Sequence, residues 1–101
     1  MRLINVTGSH RELVTNQLKS TDATLVEVYS AGNTDVVFTS APRHHEILIT
    51  NKYRALQDKE IDTIRDFFLR RKINIKETKH DLIQTITTPN LIEISIPRHI
   101  Q

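Results

Sequence analysis

The chain has 101 residues, of which 38% are hydrophobic and 26% charged, a composition typical of one folded domain and not of a disordered segment. Its formal net charge of +2 is too small to indicate a nucleic-acid ligand by itself, and the lack of cysteine excludes disulfides, thiolate metal sites and a thiol nucleophile. The two glycines, Gly8 and Gly32, lie too far apart to form a phosphate-binding loop or a dinucleotide-binding fingerprint.

A strand and a helix are predicted at the start of the chain. Residues 2–6 contain three apolar side chains and are predicted as a short strand. Residues 9–19 are predicted as a helix, because apolar residues recur at helical spacing after a capping box formed by Ser9 and Glu12. In such a box, each side chain bonds to the free backbone N–H of the other residue.

The next part of the sequence predicts a β-hairpin and a further strand. Residues 23–31 and 34–40 are predicted as strands joined by a two-residue turn at Gly32 and Asn33. Glycine at the first central position fits a type II′ turn, whose twist matches that of a hairpin. Residues 44–51 are predicted as the following strand, around three consecutive apolar residues.

A second helix is predicted over residues 58–72. Asp58 is expected to cap its N-terminus, and Arg70 and its two basic neighbours lie where cations suit the negative end of the helix dipole. Four apolar residues share one face of this helix and are expected to pack against the sheet: Ile61, Ile64, Phe67 and Phe68.

The C-terminal part predicts two more strands, over residues 81–88 and 91–96, whereas residues 73–80 fit either a loop or a short helix. The predicted order is β-α-β-β-β-α-β-β, in a single domain over residues 1–101. We expect an α+β fold with a mixed, mostly antiparallel sheet and both helices on one face. The connection from the first strand to the second would be right-handed if those strands are parallel.

The hairpin turn determines which residues lie opposite each other, and both faces of the hairpin carry apolar side chains. Both helices are expected to cover the valine-rich face. The other face is then expected to bind a second copy of the chain or another protein, unless the C-terminal strands or residues 52–57 cover it. The candidate interface residues are Leu25, Tyr29, Val36 and Phe38.

The turn before the first helix is a candidate site for a small anion or a phosphorylated metabolite. Free backbone N–H groups and the positive end of the helix dipole favour an anion there. The candidate residues are Thr7, Gly8, Ser9 and His10. The alternative is structural: Ser9 and Glu12 cap the helix, and His10 packs at its edge.

A basic segment over residues 65–79 is a candidate for binding nucleic acid, RNA in particular. It contains six cations against Asp66 and Glu77, which gives a local charge of +4. The cations are Arg65, Arg70, Arg71, Lys72, Lys76 and Lys79. The basic stretch lacks interleaved aromatic residues, so the alternative is a helix end with cations that suit its dipole, followed by a solvated loop.

Neither a metal site nor a catalytic centre is predicted. His44 and Glu46 share one face of their predicted strand, but His45 points to the other face, so the two histidines cannot hold one ion together. The sequence contains no metal-binding histidine pair on a helix and no nucleophile elbow, and Ser9 beside His10 is not a triad signature. We expect no cofactor, no metal and no enzymatic activity.

Four stretches are distinctive when they are taken together. They are residues 3–7 (LINVT), 29–34 (YSAGNT), 46–52 (EILITNK) and 88–94 (TPNLIEI). In these stretches the chain resembles a domain-of-unknown-function family of small uncharacterised proteins from low-GC Gram-positive bacteria such as lactic-acid bacteria. The resemblance covers nearly the whole chain and implies a bacterial cytoplasmic protein. It supplies no functional residues, because the family has no assigned activity.

The sequence alone therefore leads to a small interaction or regulatory module. No stretch approaches the roughly 18 apolar residues of a membrane span, and the first residues lack the apolar core of a signal peptide, so we expect a cytoplasmic protein without a membrane partner. The first hypothesis is a homodimer formed through the open sheet face. Nucleic-acid binding through the basic segment and small-anion binding at residues 7–10 are the alternatives.

Overall fold

The computed structural model describes residues 1–73 and 84–98. These residues form six strands and two α-helices: β1 (Ile4–Asn5), α1 (Arg11–Ser20), β2 (Leu25–Ala31), β3 (Thr34–Ser40), β4 (His44–Asn51), α2 (Asp58–Arg70), β5 (Gln84–Thr88) and β6 (Leu91–Pro97). A 3₁₀ turn, Thr7–Ser9, precedes α1. The α+β class and the predicted element order are confirmed.

The strands form one sheet in the order β1-β2-β3-β4-β6-β5. Every strand pair within the described residues is antiparallel, so the sheet is not mixed. The first crossover is accordingly not a parallel connection: α1 leads from β1 to an antiparallel neighbour, β2. Residues 74–83, which hold most of the segment left open between loop and helix and the start of the predicted strand 81–88, lie outside the described residues.

The β2–β3 hairpin forms in the predicted register. Tyr29 lies opposite Val36, and Ala31 and Thr34 flank a two-residue turn. Gly32 has a φ of +62°, while Asn33 after it has no positive φ. This combination distinguishes a type II′ turn from a type I′ turn, as the sequence predicted.

Helix α1 begins later than predicted. The backbone N–H of Ser9 bonds to the carbonyl of Val6, which makes Ser9 the last residue of the 3₁₀ turn. The predicted capping box of Ser9 and Glu12 therefore does not form. His10 precedes the helix instead, and its side chain makes no capping hydrogen bond.

Helix α2 begins at Asp58 as predicted, but Asp58 is not its cap. The capping residue is Gln57, whose side chain accepts the backbone N–H of Glu60, while the Glu60 carboxylate accepts the backbone N–H of Gln57. This reciprocal pair is a capping box. The local sequence contained this signal, one residue before the predicted cap.

Helix α2 ends in a Schellman motif, two residues before the predicted boundary. Lys72 adopts a φ of +65°, and its backbone N–H bonds to the carbonyl of Leu69. The N–H of Ile73 bonds to the carbonyl of Phe68, and both of these side chains are buried in the same core. The motif satisfies carbonyls that the helix end would otherwise leave without partners.

The two helices lie on opposite faces of the sheet, which corrects the expectation that both cover one face. Helix α2 packs Ile64 and Phe68 against the larger core, and α1 packs Val14 against the smaller, valine-rich core. The physical reason is that both faces of the hairpin are apolar. Burying each face beneath its own helix removes apolar surface from water and stabilises the fold. No helix of the described residues is long and apolar enough to cross a membrane.

Candidate functional site

The predicted open face is covered by the chain itself. Tyr29, Val36 and Phe38 are 2%, 0% and 5% exposed, and they pack beneath α2 in the larger core. Leu25, at the end of β2, is 47% exposed. The candidate interface therefore does not exist as an exposed patch of four residues. Its cover is α2, whereas the sequence predicts this helix on the other face.

The Thr7–His10 turn uses its side chains to hold the fold together. The Thr7 hydroxyl donates to Asn5 Oδ1 at 2.6 Å and accepts the backbone N–H of Val28 at 3.0 Å. His10 Nδ1 lies 3.0 Å from the carbonyl of Val6, which requires that this nitrogen carry the proton. These contacts support the structural alternative for Thr7 and His10, while Gly8 has open space around it and Ser9 closes the 3₁₀ turn.

The structure separates the cations of the predicted basic segment. Arg70 and Arg71 lie at the end of α2 beside a cavity, whereas Arg65 lies on another flank of the helix, 3.7 Å from the carboxylate of Asp62. Lys72 is the left-handed residue of the Schellman motif. The two remaining candidates, Lys76 and Lys79, lie outside the described residues.

Two adjoining cavities, of about 590 and 330 Å³, lie between the N-terminal segment (residues 1–3) and one flank of α2. They share Met1, Arg2 and Thr63 as lining residues, so they form one continuous depression, which we call the basic groove. Five cations line it: Arg2, Arg54, Lys59, Arg70 and Arg71. Glu60 is the one carboxylate among the described lining residues, so the formal charge of the groove is five minus one, or +4.

The sequence of α2 explains why the groove is basic. Lys59, Thr63 and Phe67 follow one another at four-residue spacing and line the groove, and Arg70 continues the same flank. The three aspartates of the helix have the same spacing, one position earlier. They occupy the neighbouring exposed flank and line neither cavity: Asp58, Asp62 and Asp66.

The single carboxylate of the groove is already engaged through both oxygens. Glu60 Oε1 accepts hydrogen bonds from Arg54 Nη1 at 2.5 Å and from the backbone N–H of Gln57 at 3.1 Å, and Oε2 accepts the Thr34 hydroxyl at 2.6 Å. The hydrogen bond from Arg54 is the main reason why the pKa of Glu60 is lowered to about 2, against the opposing effect of burial. The same bond raises the pKa of Arg54.

Asn51 holds the loop that carries Arg54. This residue is buried, and its Oδ1 accepts the backbone N–H groups of Tyr53 and Arg54 at 2.9 and 3.0 Å. Its Nδ2 donates to the hydroxyl of Thr34 at 3.0 Å. The chain Asn51–Thr34–Glu60–Arg54 therefore links β3, β4 and α2 and fixes one wall of the groove.

Arg71 forms the other end of the groove through stacking and hydrogen bonds. Its guanidinium lies 4.5 Å from the ring centre of Phe67 and 5.0 Å from that of Tyr29, and these two rings meet edge to face. Its Nη1 donates to the Tyr29 hydroxyl at 2.6 Å and to Glu27 Oε1 at 3.4 Å. The pKa of Tyr29 is raised, chiefly by burial and by the hydrogen bond with Glu27. The guanidinium plane is thus held in one orientation.

Three of the five cations of the groove were not predicted from the sequence. Lys59 could have been predicted from the helical pattern, because it is the first residue of the four-residue repeat that lines the groove on α2. Arg2 and Arg54 come from the N-terminal segment and from a loop, and no local signal connects them to α2. They meet the helix only through the tertiary fold.

The predicted relation of His44 and Glu46 is present. The two side chains share a face of β4, with 3.3 Å between His44 Nε2 and Glu46 Oε1. Within residues 1–73 and 84–98, no three histidine or carboxylate side chains lie close enough to hold a metal ion together. This pair is therefore an ordinary surface contact.

Comparison with known proteins identifies a family and a similar structure, but neither has a known function. The family model described as a domain of unknown function, DUF1827, matches residues 1–97. This chain is also similar to a conserved protein of unknown function from Streptococcus thermophilus, whose crystal structure superposes on it with a TM-score of 0.83. The two sequences are 60% identical, and the match covers 96% of each chain. No curated protein matches this sequence. The resemblance drawn from the sequence is confirmed.

Proposed function

This chain belongs to the DUF1827 family of domains of unknown function, and we propose that it is a non-enzymatic module that binds an anionic ligand in the basic groove. One observation supports the proposal above all. Five cations surround a depression whose single described carboxylate is already bonded through both oxygens. An anion bound there would contact cations, and it would not have to displace the Glu60 carboxylate from its partners.

The cations of the groove differ in whether they form an ion pair with a carboxylate. Arg54 and Arg71 are held by Glu60 and Glu27 and shape the walls. The other three form no ion pair within the described residues: Arg2, Lys59 and Arg70. Their backbones are placed by the N-terminal segment and by the two ends of α2. Exposed cations gathered without counter-ions repel one another, and a bound anion relieves this repulsion.

The two other functions expected from the sequence have less support. Self-association depended on an apolar face that α2 covers. Anion binding at the Thr7–His10 turn depended on free backbone N–H groups, whereas those of Thr7, Ser9 and His10 donate hydrogen bonds within the fold. A cytoplasmic location, as expected from the sequence, is part of the present proposal because phosphorylated ligands are available there.

Inorganic tripolyphosphate is a suitable first probe, because it offers several negative charges and no other recognition chemistry. We expect it to bind at low ionic strength, with an affinity that falls as salt is added. The double variant Lys59→Glu, Arg70→Glu should bind at least about tenfold more weakly, as measured by isothermal titration calorimetry.

The double variant Lys19→Glu, Lys52→Glu is the matched control. It makes the same change in net charge on exposed residues that line neither cavity. We expect it to bind like the unaltered protein. Equal losses in both double variants would show that only net charge matters, and no binding by the unaltered protein would refute the proposal outright.

A further inference from the structure

We propose that the anionic ligand of the basic groove is a segment of single-stranded nucleic acid. This inference rests on the proposed function and identifies the class of its ligand. Two features of the groove carry it: the length over which the cations are spread, and the flat guanidinium of Arg71 at one end.

The cations are spread over a length that suits a chain of phosphates better than one phosphate group. Lys59 and Arg70 lie eleven positions apart on α2, which corresponds to roughly 17 Å along the helix axis at about 1.5 Å per residue. At the roughly 3.4 Å spacing of a stacked strand, this length corresponds to about five nucleotides, and to fewer where the strand is extended. Arg2 lines both cavities and therefore lies between the two ends.

The second feature is a stacking platform. The guanidinium of Arg71 packs over Phe67 and Tyr29, and two hydrogen bonds fix its orientation. The side chain is nevertheless 44% exposed and lines the 330 Å³ cavity. Nucleic-acid bases stack on guanidinium planes and aromatic rings in proteins that bind single strands. A phosphate group alone has no flat ring that could stack on this surface.

Single strands fit this groove better than the alternatives of similar charge. A duplex presents its phosphates on the outside and hides the faces of its bases, so it could not use the Arg71 platform. An acidic or phosphorylated peptide supplies charge, but its chain lacks flat rings at the spacing of its charges. The groove combines phosphate-length spacing with one flat surface, which is the combination that a single strand offers.

Fluorescence anisotropy with labelled oligouridine and oligothymidine of increasing length tests the inference. We expect the affinity to rise up to about five nucleotides and then to level off, with dissociation constants within about tenfold of 10⁻⁵ M at low salt. For about three phosphates contacted, the logarithm of the binding constant should fall with the logarithm of the salt concentration with a slope of about −2. A preference between the two strands would show whether RNA or DNA is the natural source.

An abasic strand of the same length isolates the contribution of the bases. We expect it to bind about fivefold or more weakly than oligouridine. The variant Arg71→Lys, which keeps the charge and removes the flat surface, should reduce this difference. The double variant Lys59→Glu, Arg70→Glu should bind both strands poorly, and the control Lys19→Glu, Lys52→Glu should bind them normally. Thermal unfolding of each variant confirms that it is folded.

Three results would overturn the inference. If tripolyphosphate binds but oligonucleotides bind no better than abasic strands, the proposed function survives and the nucleic-acid assignment fails. If a phosphopeptide of equal charge binds more tightly than any strand, the ligand is a peptide. If neither tripolyphosphate nor any strand binds, the inference and the proposed function fail together.

Discussion

The hydroxyl of Thr34 donates a hydrogen bond of 2.6 Å to the carboxylate of Glu60, across a sequence separation of 26 residues. Thr34 begins β3 directly after the hairpin turn, and Glu60 lies in the first turn of α2. Both side chains are buried. This bond therefore joins the hairpin to α2 beside the basic groove, and it orients the carboxylate that holds Arg54.

Glu60→Gln should destabilise the fold by about 2 kcal/mol. The buried carboxylate accepts hydrogen bonds from its neighbours, and a neutral amide in its place matches these donors poorly. Asp62→Asn is the matched control on the same helix, at an exposed position, and should change stability by less than about 0.5 kcal/mol. Urea unfolding at neutral pH measures both values. Equal effects of the two substitutions would contradict the role assigned to Glu60.

The stability of the protein should depend on pH through Glu60. Its pKa is lowered from the ordinary 4.5 to about 2 in the folded state, so the unfolded chain takes up the proton first as the pH falls. The contribution of Glu60 is therefore fully present above pH 4.5 and is lost as the pH falls towards 2. In urea unfolding, the difference between the unaltered protein and Glu60→Gln should shrink over this range. A constant difference would disprove the assignment.

The two glycines should respond differently to alanine. Gly32→Ala forces a side chain into a φ of +62° and should cost about 1–2 kcal/mol. Gly8→Ala places its new methyl group in open space without a positive φ, and it should change stability by less than about 0.5 kcal/mol. Thermal and urea unfolding of the two variants side by side provide the comparison. The same cost at both positions would mean that the hairpin turn is not type II′.

Phe68 and Leu69 are neighbours on α2 that test which face of the helix covers the sheet. Phe68 is fully buried against the larger core, whereas Leu69 is 44% exposed. Phe68→Ala should therefore cost about 3–5 kcal/mol, and Leu69→Ala less than about 1 kcal/mol. Chemical unfolding measures both costs. A small cost for Phe68→Ala would mean that the face of Tyr29 and Phe38 is open after all.

Local features of the fold were predictable because they depend on neighbouring residues. The hairpin followed from Gly32 and Asn33, and the buried face of α2 followed from the spacing of Ile64 and Phe68. The cap of α2 was missed by one residue, because Asp58 and Gln57 both precede a helical pattern and only the reciprocal bond with Glu60 decides between them.

The placement of the helices and the groove was not predictable by the same means. Both faces of the hairpin are apolar, so the sequence does not say which helix covers which face. Arg2, Arg54 and Lys59 come from three separate segments, and only the packing of α2 beside the N-terminal segment brings them together. A net charge near zero for the whole chain also conceals the groove, because the three aspartates of α2 lie on its other flank.

Nuclear magnetic resonance can map where an anionic ligand binds, and we propose that it binds in the basic groove. Backbone amide shifts would be followed during titration of the ¹⁵N-labelled protein with a short oligouridine. From this proposal, we expect the largest changes around Arg2, Gly32, Lys59, Thr63 and Arg70, and we expect these changes to saturate together. Changes centred on the N-terminus of α1, or changes scattered in proportion to surface charge, would contradict it.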